Sequence, residues 1–204
     1  MQMRMSVGFI FMLGLGVAAT VRPHLQDPKP VPRAPSGDIL RRAQELSRTT
    51  AEHERLLTLS GKWNVILRTS TADTGTASGG VREDRGTVVG QSMLGGRFLA
   101  LNFRAKVQGR AVEGLQILGF DTLRQAYTSS WRDNATTWSL DCLGGLGRDP
   151  ELLKLTGSLR DASTPEGRSM SMTIDMRTND QVTIRIYEER GLDEVLMQEQ
   201  VWQR

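Results

Sequence analysis

From residue 61 to the C-terminus, apolar and polar side chains alternate in short runs separated by glycine and other turn-forming residues. Ser169-Met170-Ser171-Met172-Thr173-Ile174-Asp175-Met176 alternates without a fault. Val182, Ile184 and Ile186 alternate with Thr183, Arg185 and Tyr187, and Leu99, Leu101 and Phe103 repeat the pattern. A period of two means one dry face and one wet face, as on a half-buried strand. Ten such strands are predicted, near 62–69, 80–92, 97–107, 110–120, 125–133, 136–143, 151–159, 168–177, 181–190 and 194–203. The short turns between them make successive strands antiparallel neighbours. An open meander of that length would leave two exposed edges, so an all-β fold closed into a barrel is expected, with a two-sheet sandwich as the alternative. No helical crossover separates the strands, which excludes a parallel α/β fold.

Upstream the period changes to that of a helix. Ser36-Gly37-Asp38 reads as a helix start, followed by an apolar stripe of Ile39, Leu40, Ala43 and Leu46. Thr49-Thr50-Ala51-Glu52 has the spacing of a capping box, and His53, Leu56 and Leu57 share one face of the short helix behind it. Gly61 is placed to end that helix. One or two short helices therefore cap the barrel, in a single domain spanning 37–204.

Residues 1–19 read as a signal peptide, with Arg4 in the charged region, an apolar run from Val7 to Val17, and small residues at Val17-Ala18-Ala19. The apolar run falls short of the ~20 residues that span a bilayer, so no stable membrane span is expected after cleavage. The alternative is an uncleaved anchor. Residues 20–36 form a proline-rich tether, with five of the seven prolines between 23 and 35. A secreted or periplasmic location follows from this reading.

Charge removes one class of function. The isoelectric point near 9.4 suggests a basic protein. All of the net +3, however, lies before residue 36, where Arg4, Arg22, Lys29 and Arg33 face Asp27 alone. The remaining chain is formally neutral. Nucleic-acid binders concentrate positive charge on the folded domain, so no nucleic-acid partner is expected. The single cysteine, Cys142, has no intramolecular disulfide partner, and stability must come from the core.

Gly61-Lys62-Trp63, on the first strand after a short helix, resembles the opening of the lipocalin and fatty-acid-binding superfamily, where the tryptophan packs across the closed end of the barrel. A more specific likeness runs through Glu52-His53, Leu56, Leu59, Gly61 and Trp63, and through Met93-Leu94-Gly95-Gly96-Arg97-Phe98-Leu99. It continues in Gly114-Leu115-Gln116-Ile117-Leu118-Gly119-Phe120-Asp121, in Tyr127, Ser129, Ser130, Trp131 and Asp133, and in the closing Glu199-Gln200-Val201-Trp202-Gln203-Arg204. Together these resemble the bacterial domain-of-unknown-function family 1579 over roughly 50–204, and depart from it at 144–150. The resemblance implies a calycin-like barrel and assigns no activity.

The chemistry-bearing residues are sparse. His53 is the only histidine outside the tether. A lone imidazole beside an apolar face can ligate haem iron, but the preferred reading is a hydrogen bond that closes the barrel end. No metal site and no cofactor are expected. The carboxylate pairs Glu83-Asp84, Glu188-Glu189 and Asp193-Glu194 are adjacent in sequence, which on a strand points them to opposite faces. No nucleophile motif or phosphate loop is present. Trp131 and Trp138 fall on neighbouring predicted strands, able to floor an apolar pocket with Tyr127 and a methionine lining of Met170, Met172, Met176 and Met197. Arg97, Arg104 and Arg185 are the candidate polar contacts at its mouth. The expected partner is a small apolar or amphipathic molecule. An enzyme acting on a guest held in the same barrel, and an interaction module with a filled core, stay open as alternatives.

Overall fold

The computed structural model describes residues 36–70, 80–162 and 164–204. The signal-peptide and tether readings lie outside the described residues. Two helices, α1 (Ser36–Leu46) and α2 (Ala51–Leu57), precede ten strands. These are β1 (Gly61–Ser70), β2 (Val81–Met93), β3 (Phe98–Val107), β4 (Arg110–Asp121) and β5 (Ala126–Asp133), then β6 (Leu140–Leu146), β7 (Leu152–Leu159), β8 (Arg168–Asp175), β9 (Gln181–Arg190) and β10 (Asp193–Gln203).

Every strand pairs antiparallel with its sequence neighbour, and β1 pairs with β10 from Asn64↔Gln203 to Thr69↔Gln198, which closes the barrel. Closure gives each interior backbone group a ladder partner and removes both edges. The predicted alternation becomes the inside–outside alternation of this wall. Leu99, Leu101 and Phe103 face in, as do Met170, Met172 and Ile174, and Val182 and Ile184; all are buried. Where β3 turns into β4, Gln108 and Gly109 both take positive φ, the two-residue turn whose twist matches that of the flanking strands.

Two boundaries differ from the sequence expectation. β6 begins at Leu140 rather than near 136, because the Asp133 carboxylate accepts hydrogen bonds from the backbone N–H groups of Ala135 and Thr136 and curls the chain into a loop. At its other end β6 runs through Gly144-Gly145, read from sequence as a loop. A side chain at Gly144 would lie 2.1 Å from the Lys154 carbonyl oxygen, so glycine here serves a close strand approach and not a turn.

Strand direction gives the barrel two unlike ends. At the end where β1 begins, α2 packs against β3 and β4 and buries His53 and Leu56. Trp63 and Trp202 meet there, ring centroids 6.2 Å apart, with the Trp63 indole N–H donating to the Leu59 carbonyl at 2.9 Å. The Arg204 guanidinium lies 4.4 Å above the Trp63 ring and donates to the Thr58 carbonyl, fastening the last residue to the helix–strand junction. This end is solid.

By contrast α1 stands off the wall. Ile39 and Leu40, half of its apolar stripe, are more than half exposed. The capping box of α2 is shifted one residue from the expected register. Thr50 is the N-cap, and its N–H donates to Nδ1 of His53 at 3.0 Å, the histidine taking the place expected for a glutamate. Among the described residues, no helix is long and apolar enough to cross a membrane.

Candidate functional site

A ten-stranded barrel encloses more width than its side chains fill. In this chain the surplus gathers at the end opposite α2, in a cavity of about 430 Å³ that opens between the far ends of the strands. That volume falls in the range of roughly 300–1,000 Å³ typical of small-molecule sites. Its walls are mostly apolar: Leu67, Phe103, Leu140, Met170, Met172, Ile184 and Ile186 contribute, each from the inward parity of its strand.

Trp131 forms one wall. Its ring meets Phe103 edge-on at 5.8 Å, and its N–H donates to the Asp133 carboxylate at 2.9 Å. The indole lies flat because residue 114, two positions along β4 from its register partner Gln116, is glycine. A Cβ there would stand 2.2 Å from the Trp131 ring. Gly114 and Asp133 therefore hold the indole against the wall and keep the cavity open.

The floor is polar but uncharged. Gln116, 6 % exposed, donates from Nε2 to the Ser129 hydroxyl at 2.9 Å and to the Met172 sulfur at 3.6 Å. Its Oε1 accepts no hydrogen bond among the described residues. Across the barrel, Trp202 N–H donates to Gln200 Oε1 at 3.0 Å, and Gln200 Nε2 donates to Gln198 Oε1 at 2.9 Å. Gln198 Nε2, facing the cavity, donates to nothing among the described residues. This relay carries the order of the packed end up to the floor of the cavity.

Among the described residues, the charged side chains of the lining sit at the mouth, and each has a partner. Arg82 donates to Asp84 at 2.7 Å. Arg168 bonds Asp161 and approaches Glu188 at 3.8 Å, and Glu188 also receives Arg190 at 2.7 Å. Arg168 Nε is buried without a partner among the described residues. The second oxygen of Asp133 is taken by the loop that follows it.

The structure brings Trp131, Trp138, Met172, Met170 and Met197 together at this cavity. Trp138 does so from the loop before β6, 42 % exposed at the rim, and not from a strand. Tyr127 is inward but at the other end, stacked edge-on against Phe120 at 5.0 Å. Its hydroxyl is buried with no partner among the described residues, and burial pushes its pKa up. Tyr127 and Met176 line a separate, shallower cleft of about 450 Å³ beneath α2.

The three arginines expected at the mouth stand elsewhere. Arg104 and Arg185 occupy the outward parity of β3 and β9, where they pair with Glu113 and Glu199. Arg97 follows the β2–β3 turn at the closed end and donates to the carbonyls of Leu94 and Ser47. His53, considered as a haem ligand, is spent on the helix cap, and its ring packs against Phe120 at 5.8 Å, outside the cavity. Among the described residues, no cluster of three metal-ligating side chains occurs. The residues that sequence reasoning passed over are Arg82, Gln116, Arg168, Glu188, Gln198 and Gln200. Their signal was parity: Gln116 shares the inward face with Leu118, Arg168 with Met170, and Glu188 with Ile186.

These features define a class, a single closed antiparallel barrel plugged at one end and open to a cavity at the other. The chain matches the family described as protein of unknown function (DUF1579) over residues 48–203, and it belongs to that family. Among solved structures it is similar to the S-type phycobiliprotein lyase CPES from Guillardia theta, at 10 % sequence identity and a TM-score of 0.47, covering 79 % of this chain and 96 % of that one. No curated protein matches the chain.

Proposed function

We propose that this protein binds one small apolar or amphipathic molecule in the hollow half of its barrel. The observation that carries the reading is the cavity of about 430 Å³, apolar in its walls and open at one end, within a barrel plugged at its other end by two buried indoles. An interior that side chains leave unfilled forfeits packing energy along its lining, and Gly114 with Asp133 leaves this one unfilled by holding an indole aside. A guest recovers that energy, at roughly 25 cal/mol per Å² of apolar surface buried, before the costs of ordering it. Trp138 at the rim and Trp131 on the wall offer it aromatic faces. The charged, short apolar segment at residues 1–19 supports an exported protein that meets its guest outside the cytoplasm.

Native mass spectrometry of the protein isolated from its own source tests the reading. One retained small-molecule adduct is expected, absent from an Ile186→Trp variant that fills the cavity. Bare protein from the native source, with the variant indistinguishable from it, would contradict the proposal.

A further inference from the structure

The distribution of charge around the cavity says what kind of guest it takes. We infer that the guest is electrically neutral and carries a hydroxyl or carbonyl that goes in first, to be read by Gln116 or Gln198 inside the barrel. This rests on the cavity reading above and narrows it.

Two observations carry the inference. The first is that, among the described residues, each charged side chain lining the cavity already has a partner. Arg82 is matched by Asp84, Arg168 by Asp161 and Glu188, and Arg190 by Glu188 again. The lining itself holds Arg82 and Arg168 against Asp133 and Glu188, two charges of each sign. An anionic head held against this lining would face two carboxylates and would have to compete for a cation already paired. A cationic head meets the mirror problem, because every one of those carboxylates already has a donor.

The second is that below the mouth the inward face carries no charged lining residue but keeps three carboxamides. An ion taken to that depth would lose its water with no counter-charge, a far larger cost than burying a neutral group that finds a partner. The floor does offer such partners. Gln116 Oε1 is an acceptor without a donor, and Gln198 Nε2 is a donor without an acceptor, each held in place by its other atoms. A hydroxyl can satisfy either one, as donor to Gln116 or acceptor from Gln198, and a carbonyl can satisfy the second. A buried polar group left unpaired is costly, so a guest that supplies the missing partners gains over one that does not.

The test is a competition at neutral pH between three chain-matched probes, dodecanol, methyl laurate and laurate, each displacing Nile red from the purified full-length protein. Dodecanol and methyl laurate are expected to displace the dye at concentrations at least tenfold below that of laurate. In a Gln116→Met variant, which keeps the side-chain volume, dodecanol affinity is expected to fall several-fold more than that of Nile red. Laurate binding as tightly as the alcohol would overturn the neutrality argument. A dodecanol affinity that tracks the dye in Gln116→Met would overturn the role of the floor amide. If Nile red itself fails to bind, the cavity reading underneath has failed, a result distinct from tight binding of laurate.

Discussion

The two ends of the barrel use the same materials to opposite effect, and their tryptophan pairs show how. Trp63 and Trp202 face each other across the closed end, each 1 % exposed, with their N–H groups donating to Leu59 and Gln200. Trp131 and Trp138 sit at the other end, partly exposed, one pressed back onto a glycine and the other standing at the rim. In the first pair the indoles consume interior volume. In the second they border it. The difference lies less in the tryptophans than in what surrounds them. A helix and a cation cover the first pair, whereas Gly114 and Asp133 draw Trp131 away from the centre. A barrel of this width becomes a container by leaving one end unplugged.

The largest expected effect follows from removing the plug. Trp63→Ala should cost about 3–5 kcal/mol of unfolding free energy, since it deletes a fully buried indole and the partner of Trp202. Trp131→Ala, which enlarges a space already hollow, should cost less than half as much in the same chemical-denaturation series. Equal losses would mean that the two ends are packed alike.

Next comes Gly114→Ala. The added methyl must displace the Trp131 ring, at about 1–3 kcal/mol for an overpacked site, and the ring can move only toward the cavity. A matching drop of tenfold or more in the affinity for Nile red is expected, with Trp131 emission shifted. Unchanged affinity would show that the indole is not held where the geometry puts it.

Between the ends sits Cys142, inward on β6. Burial, with the Asp141 carboxylate adding to it, raises its thiol pKa from 9.0 to about 11. A raised thiol pKa stabilises the fold below the unfolded value, and that contribution is lost as pH climbs from 9 toward 11. The loss at pH 10 should be about 1.4 kcal/mol, read as the pH 8-to-10 change in the wild type minus that in Cys142→Ala. Identical pH dependence in the two proteins would place the thiol in water. On the acid side the sign reverses for Glu199. Burial alone would raise its pKa, but hydrogen bonds from Arg185 and Arg68 outweigh burial and lower it. Its contribution is therefore present above the ordinary carboxylate range and disappears as pH falls through the lowered value.

The smallest effect is expected at Arg104. It is three-quarters exposed and its partner Glu113 lies on the outer wall, so Arg104→Ala should change stability by about 0.5 kcal/mol or less and leave Nile red affinity intact. A tenfold affinity change would return the arginine to the cavity.

The fold was legible in the sequence because a half-buried strand imposes a period of two, and ten such periods joined by short turns admit few arrangements. Its boundaries failed where a side chain or a close approach overrode local pattern, at the Asp133 loop and at Gly144-Gly145. The site was half legible. The large apolar candidates Trp131 and Met172 line the cavity, while Arg104 and Arg185 were chosen for their chemistry against their own parity, each lying between inward neighbours such as Phe103 or Ile184. Applied consistently, the same rule marks Gln116, Arg168 and Glu188 as polar residues on an apolar face. Depth along the barrel is what the pattern does not encode. Tyr127 and Trp131 share a face of β5, yet only the tertiary arrangement puts one beneath the helix and the other on the open wall.

The central claim is that the open half of the barrel is a real, fillable space. Titration of Nile red into the wild type and into Ile186→Trp, followed by dye emission, tests it most directly. Saturable binding near one equivalent with a blue-shifted emission is predicted for the wild type, and its loss in a variant that remains folded. Equal dye binding by the two proteins, or none by the wild type, would contradict the account.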